Sequence, residues 1–377
     1  MSITVKEALT LDSCKRFRLV AGQAGLDNRI RKVGILDYEM DELLHENFLP
    51  GEFIITTLLN IKDDLTKLYT IVEALISIGV SGLAIKNIYF QSIPGAVIGL
   101  ANQHNFPIFL FEETYFEHII NGVMLAIKKK ESNRELVNKI DGLINRDLSK
   151  REIRTRAYEI NQDFREENIV AFIKRSGRET GYSLRPSELG VNKQSKIIPY
   201  QNGYLYLMTD RQSNTAAMKD RIRSRLRQAG FNEDYTIGIS SLHHQLEDLT
   251  YSLKESIYAF EYGRAYNRQL TFFAETGTSM ILLPLLSSPW IQRYYHEYIT
   301  PLEQYDRRNG TELLETAVEY IENNGDIKST AEDLIQHSNT VRYRLNKISE
   351  ILNAEGAITS FYEELALAMR IFKLKNG

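Results

Sequence analysis

The stretch NNGDIKSTAEDLIQHSNTVRYRLNKISEIL, residues 323–352, decides the fold of the C-terminal part of this chain. Asn324-Gly325 is a typical helix C-terminal signal. Ser329-Thr330-Ala331-Glu332 fits a capping box that opens a new helix. A short polar break at 337–339 follows, and a second helix runs from about residue 339 to 352. The stretch therefore predicts two helices joined by a tight turn.

The second of these helices is amphipathic. Its apolar residues are spaced by four, three and four, which places them on one stripe. They are Val341, Leu345, Ile348 and Leu352. At about 100° per residue, polar residues fall opposite that stripe or near its opposite face. They are Asn339, Thr340, Tyr343, Asn346, Lys347 and Glu350, with Arg342 and Arg344 on the two flanks.

The charge of this helix suits nucleic acid. Residues 338–347 contain three basic side chains and no acidic one. Asn, Arg and Lys side chains can hydrogen-bond to base edges in the major groove, and arginines on the flanks can reach phosphates. From spacing alone, a recognition helix and a solvated amphipathic helix of an all-α domain both remain open.

A family resemblance favours the recognition helix. The stretch resembles the C-terminal helix-turn-helix of the PucR/CdaR-type bacterial transcriptional regulators. That family's pattern is Thr-Ala at a helix start followed by His-x-Asn-Thr-x-x-x-Arg-Leu, and family members often have Arg after the His, where this chain has Ser338. The resemblance implies a set of DNA-binding residues. They are Thr330, His337, Ser338, Asn339, Thr340, Arg342, Tyr343, Arg344, Asn346 and Lys347.

The N-terminal 130 residues alternate short apolar runs with helical patterns. Strands are predicted at 53–57, 83–85 and 106–111, and helices at 64–78 and 95–104. Strands separated by helices of this length indicate βαβ units and an α/β domain. Residues 5–125 also resemble the family's N-terminal PucR-type domain. The matching stretches are ILDYEMDELL (35–44), LPGEFIITT (49–57), GVSGLAIKNIYFQSIP (79–94) and NFPIFLFEETYFEHII (105–120).

The middle of the chain has a different order of predicted strands and helices. Its order is a strand at 168–174, a hairpin at 196–208 around Asn202-Gly203, a basic helix at 215–229, a strand at 235–240 and a helix at 245–266. This order predicts an α+β, palm-like fold, and residues 134–275 resemble the family's GGDEF-like domain. We therefore expect a multidomain α/β protein. Its expected domains are a ligand-sensing α/β domain (1–130), a helical linker with the GGDEF-like domain (131–285) and an all-α helix-turn-helix domain (286–377).

A GGDEF-like fold raises the alternative of a nucleotide-binding or nucleotide-cyclising enzyme. Such chemistry requires carboxylates that hold divalent metals at the phosphates. The hairpin turn, Gln201-Asn202-Gly203-Tyr204-Leu205, contains none. His243 and His244 are adjacent and would point apart on a helix, which disfavours a shared metal. The sequence thus predicts no catalytic residues, no metal site and no cofactor.

Charge, cysteine content and apolar runs indicate where in the cell the protein is expected. With 46 Lys+Arg and 49 Asp+Glu the formal net charge is −3, which excludes a protein basic over its whole surface. The single cysteine cannot form an internal disulfide. The N-terminus lacks the apolar core of a signal peptide, and no apolar run approaches the ~20 residues of a membrane span. A cytoplasmic protein with no membrane association is expected.

The predicted function is a DNA-binding transcriptional regulator that controls a catabolic or metabolic operon in response to a small metabolite. The expected partners are double-stranded operator DNA and an effector whose identity and binding residues the sequence leaves unknown. A homodimer or higher homo-oligomer is expected, because two-fold pairing places two recognition helices about 34 Å apart on one face of DNA. The helical region 115–163 is either a connecting helix or a dimerising one; Leu136, Ile140, Leu143 and Leu148 allow both.

Overall fold

The computed structural model describes residues 1–37, 44–62, 64, 66–89, 92–176, 192–211, 215–231, 234–352 and 358–376. Parts of two quoted stretches, residues 38–43 and 90–91, lie outside the described residues. The chain divides into two compact units, Met1–Leu136 and Val137–Gly377. The predicted ranges 131–285 and 286–377 fall almost wholly within the second unit, and the three-domain division stays a prediction.

The first unit is built on a five-stranded sheet of order β2-β7-β6-β5-β4. The strands of this unit are β1 (Ile3–Thr4), β2 (Arg18–Ala21), β3 (Arg29–Ile30), β4 (Lys32–Leu36), β5 (Glu52–Thr56), β6 (Gly82–Lys86) and β7 (Ile108–Phe111). The helices are α1 (Val5–Ala8), α2 (Leu44–Asn47), α3 (Lys67–Ile78), α4 (Gly95–Gln103) and α5 (Phe116–Asn145), which continues into the second unit. Strands β4 to β7 run parallel, and β2 pairs antiparallel with β7.

The sheet is covered on both faces, which is why its strands read as continuous apolar runs. Ile54 and Leu83 pack against α3 and α4 on one face. Phe53 and Phe109 pack on the other face against Ile119 and its neighbours in the first half of α5. The predicted α/β architecture of this segment is confirmed.

After the end of α5, the second unit continues with α6 and a five-stranded sheet of order β12-β11-β8-β10-β9. Its strands are β8 (Glu167–Arg175), β9 (Ser195–Tyr200), β10 (Gly203–Asp210), β11 (Tyr235–Ile239) and β12 (Leu270–Phe272). Its first helices are α6 (Lys150–Ile160), α7 (Thr215–Gln228) and α8 (Leu249–Ala265). The predicted hairpin is present as β9–β10, with Gln201 and Asn202 at positive φ in its turn.

The two helices α7 and α8 cover opposite faces of this sheet. Helix α7 packs Met218, Ile222 and Leu226 on one face. On the other, α8 lies so close to β11 that a Cβ at Gly238 would meet the backbone of Phe260 at 2.1 Å. Only glycine permits that approach.

The rest of the second unit is all-helical within the described residues. Its helices are α9 (Ser279–Leu285), α10 (Pro289–Tyr298), α11 (Thr300–Asn309), α12 (Leu313–Glu322), α13 (Ile327–Asp333), α14 (Ser338–Ile351) and α15 (Ile358–Asn376). They share one apolar core with the end of α8. Among the helices of the described residues, none combines the length and the apolar character that crossing a bilayer requires.

Candidate nucleic-acid interface

The interface begins at α13, whose first residue differs from the predicted one. The Asp326 carboxylate, not the Ser329 hydroxyl, caps this helix by accepting the Ser329 backbone N–H at 2.7 Å. That hydrogen bond holds the pKa of Asp326 below its ordinary value. The predicted capping box at 329–332 was therefore wrong: an acidic residue three positions earlier accepts the orphan N–H first.

The turn between the two helices comprises residues 334–337, and α14 begins at Ser338. His337 occupies the N-cap position, where its Nδ1 accepts the Asn339 backbone N–H at 3.2 Å. The predicted break at 337–339 was thus placed too late, and Asn339 lies in the first turn of the helix.

The apolar stripe of α14 packs as the spacing predicted. Val341 and Ile348 are fully buried, Leu345 is 8% exposed, and Leu352 is half-buried. They join the shared helical core with α12 and α15. This burial fixes which face of α14 remains outside.

Four predicted DNA-binding side chains lie together on that outer face. Asn339, Arg342, Tyr343 and Asn346 are all exposed, and Tyr343 is exposed to 69% of its surface. Within the described part of the chain, Arg342 forms no ion pair. The amides, phenol and guanidinium of this face are thus available to base edges and phosphates.

Three more predicted residues lie at the beginning of α14. His337 is exposed, and Ser338 and Thr340 are half-buried beside it. A helix N-terminus carries partial positive charge and free N–H groups, so it attracts phosphate oxygens.

Arg344 has a different position from the predicted one. Its guanidinium donates to the Thr316 hydroxyl at 2.9 Å and to the Glu312 carboxylate at 3.0 Å, and only 17% of its side chain is exposed. Thr316 is buried and Glu312 is the N-cap residue of α12. Arg344 therefore links α14 to α12, and its guanidinium is engaged in contacts within the domain.

Lys347 lies on the flank of α14, where its ammonium already has partners within the domain. Its ammonium donates to Glu350 at 2.8 Å and lies 5.7 Å from the centroid of the Tyr305 ring. The Glu350 hydrogen bond raises the pKa of Lys347, so the ammonium stays charged. With 30% of its side chain exposed, Lys347 can still face a phosphate.

Thr330 does not reach the surface. It is fully buried, and its hydroxyl donates to the Asp326 carbonyl at 2.6 Å. A buried hydroxyl with a local partner cannot contact DNA in this conformation. The Thr-Ala pair at this helix packs α13 against α14 rather than reading bases.

Ile335 is a feature of this surface that the sequence reasoning missed. It lies in the turn, is 91% exposed, and has φ of 53°. A β-branched residue in the left-handed region is strained, and an exposed methyl-rich side chain suits the thymine methyl group. The signal in the sequence was an apolar residue within an otherwise polar turn.

Two short helices joined by a tight turn, the second with a polar outer face that carries no acidic residue before Glu350, define a helix-turn-helix DNA-binding domain. Residues 313–371 match the PucR C-terminal helix-turn-helix domain. Residues 7–127 match the purine catabolism regulatory protein-like family, PucR. The chain therefore carries segments that match the N-terminal domain and the C-terminal helix-turn-helix domain of PucR-type transcriptional regulators.

Individual relatives match over shorter segments. The purine catabolism regulatory protein of Bacillus subtilis (strain 168) is 28% identical over 134 residues, which are 35% of this chain and 24% of that protein. The DNA-binding transcriptional activator AdeR of the same organism is 26% identical over 122 residues, 32% of this chain and 29% of that protein. The matched segment thus spans less than a third of either relative.

A solved structure was also found. The regulator of polyketide synthase expression from Bifidobacterium adolescentis aligns over 64% of this chain and 98% of its own, at 17% identity and a TM-score of 0.31. A TM-score of that size does not show a shared overall fold.

Proposed function

We propose that this protein regulates transcription by inserting α14 into the major groove of an operator. The observation that carries the proposal is the outer face of α14, where four polar or cationic side chains are exposed over a helix whose first ten residues contain no acid. Such a face offers hydrogen-bond donors and acceptors of the kinds that pair with base edges.

Each predicted residue then takes a role. Asn339, Tyr343 and Asn346 contact base edges, and Arg342 contacts a phosphate or a guanine. His337 and Ser338, at the start of α14, contact the phosphate backbone of the DNA, and Thr340 and Lys347 lie on the flanks of the helix. Arg344 is a positioning residue and Thr330 a packing residue, because both are engaged inside the domain.

The remaining modules provide regulation in this proposal. The first unit senses a small metabolite, which changes DNA affinity only if it binds one conformation better than another. Two copies of the chain pair on the operator, because a single 14-residue recognition helix contacts few base pairs. The 30-residue helix α5 connects the modules or forms part of that dimer interface.

We infer that the sheet β12-β11-β8-β10-β9 is a palm-like, GGDEF-related module without catalysis. The antiparallel β9–β10 hairpin beside the central strand β8 supports the palm-like order. Its turn, residues 201–203, carries no carboxylate to hold a divalent metal. Turnover of GTP or ATP in the presence of magnesium would overturn this and favour the enzyme alternative.

The direct test is fluorescence anisotropy with duplex DNA from upstream of the protein's own gene. Replacing Asn339 and Arg342 by Ala is expected to weaken specific binding at least tenfold, since each bidentate base contact contributes roughly 1–3 kcal/mol. Arg293→Ala is the matched control, because Arg293 is an exposed cation on α10, which packs on α11 and α15.

Unchanged affinity in the Asn339/Arg342 variant would count against α14 as the recognition helix. A protein-binding scaffold would show no steep loss of DNA affinity with salt, whereas phosphate contacts require one.

A further inference from the structure

A cavity of about 350 Å³ opens at one edge of the sheet in the second unit. It lies where β8 ends and β11 begins, beside the last turn of α8 and the loop that follows. Four of its lining side chains are cationic. They are Lys174, Arg175, Arg264 and Arg268. Among its described lining residues there is no carboxylate.

Two of these cations are already paired with acids outside the lining. Arg175 lies 3.7 Å from Asp234, and Arg264 donates to Glu261 at 2.6 and 3.0 Å. Lys174 and Arg268 form no ion pair within the described residues. The cavity therefore has an excess of positive charge in a concave site, where the surrounding protein focuses the field.

The wall of the cavity is held in place by backbone hydrogen bonds. The Arg268 N–H donates to the Gly263 carbonyl at 2.7 Å, and the Ile237 N–H donates to the Gln269 carbonyl at 2.7 Å. The Arg268 guanidinium also lies over the Tyr262 ring, 5.4 Å from its centroid. A loop fixed in this way presents its cation without a large ordering cost on binding.

We propose that this basic cavity binds a small phosphorylated metabolite. Guanidinium groups bind phosphate oxygens through paired N–H donors, and an ammonium adds a point charge. The volume is within the range of small-molecule sites, and a DNA duplex cannot enter it. Cations line the cavity and no carboxylate is among its described lining residues, so we expect binding without a divalent metal. This site is independent of the proposed operator contacts.

The test is isothermal titration calorimetry of the full chain with inorganic pyrophosphate in the presence of EDTA. A saturable single site is expected. The double variant Lys174→Gln/Arg268→Gln is expected to bind at least tenfold more weakly, and the charge-conserving Lys174→Arg/Arg268→Lys within threefold of the parent. Lys128→Gln/Lys129→Gln removes the same charge from exposed positions on α5 and should bind unchanged.

Three results would overturn the proposal. They are the absence of saturable heat, an equal loss in the Lys128/Lys129 control, and unaltered binding in the Lys174/Arg268 variant. If pyrophosphate gives no binding heat and the Lys174/Arg268 variant instead loses DNA affinity, the cations bind nucleic-acid phosphates and the proposal fails. Should the double variant not fold, Lys174→Gln alone, at a half-buried position, must still weaken binding at least threefold.

Discussion

The two arginines of α14 that flank Tyr343 allow a sharp test, because the structure gives them different roles. Arg342 is exposed on the outer face, whereas Arg344 is fastened to Glu312 and Thr316. The same substitution, Arg→Gln, removes one charge at each site. We expect Arg342→Gln to change DNA binding and Arg344→Gln to change stability.

The magnitudes follow from the contacts. A single phosphate contact contributes about 0.9 to the slope of log affinity against log salt, so raising salt fourfold weakens it by roughly 3.5-fold, or about 12-fold for a dimer. Arg342→Gln should reduce the slope by about 0.9 per subunit on DNA and leave the free energy of unfolding within about 0.5 kcal/mol.

Arg344→Gln should instead cost about 1–2 kcal/mol of unfolding free energy, from the lost charge-assisted hydrogen bonds. This loss lies at the lower end for charge-assisted hydrogen bonds, because the Glu312 side chain is 58% exposed and solvent screens its ion pair with Arg344. The Thr316 hydroxyl keeps its bond to the Glu312 carbonyl at 2.8 Å, so no buried donor is orphaned.

The assay combines anisotropy titrations at several salt concentrations with urea unfolding of both variants. Arg344→Gln should keep the parent's salt slope once the protein is folded. The reasoning is refuted if Arg344→Gln lowers the slope as much as Arg342→Gln does, or if Arg342→Gln is the less stable variant.

Three further expectations follow from the same domain. Ile335→Gly removes a β-branched residue from the left-handed region and should raise the free energy of unfolding by about 1 kcal/mol, seen as a higher urea midpoint. The same change should weaken DNA binding if the Ile335 side chain contacts a base. A lower urea midpoint would contradict this expectation. Ile348→Ala empties a fully buried position and should cost about 3 kcal/mol, measured by urea unfolding against the exposed Asn346→Ala; a cost equal to that control would contradict the packing. The pKa of the Asp326 carboxylate is lowered in the folded protein, so its contribution to stability is present above the unfolded pKa and is lost as pH falls through the folded pKa. The difference in unfolding free energy between the parent and Asp326→Asn should therefore change between about pH 5 and pH 3. A difference that stays constant over this range would contradict the expectation.

Much of the fold could be predicted because local patterns there agree with tertiary packing. The parallel strands of the first unit are apolar runs because both faces of the sheet are covered, as for Ile54 and Phe53. The stripe Val341, Leu345 and Ile348 follows helical periodicity directly into the core. These features depend on residues close in sequence.

The tertiary structure decided what depends on distant partners. Spacing placed Arg342 and Arg344 symmetrically on two flanks of α14, but Glu312 and Thr316, about 30 positions earlier, withdraw Arg344 from the surface. The cations of the basic cavity come from β8, from the last turn of α8 and from the loop after it, so no local stretch contains the site. The sequence by itself determined the periodic elements and the family resemblance. The tertiary structure decided where charged side chains form a site, because it brings separate segments together.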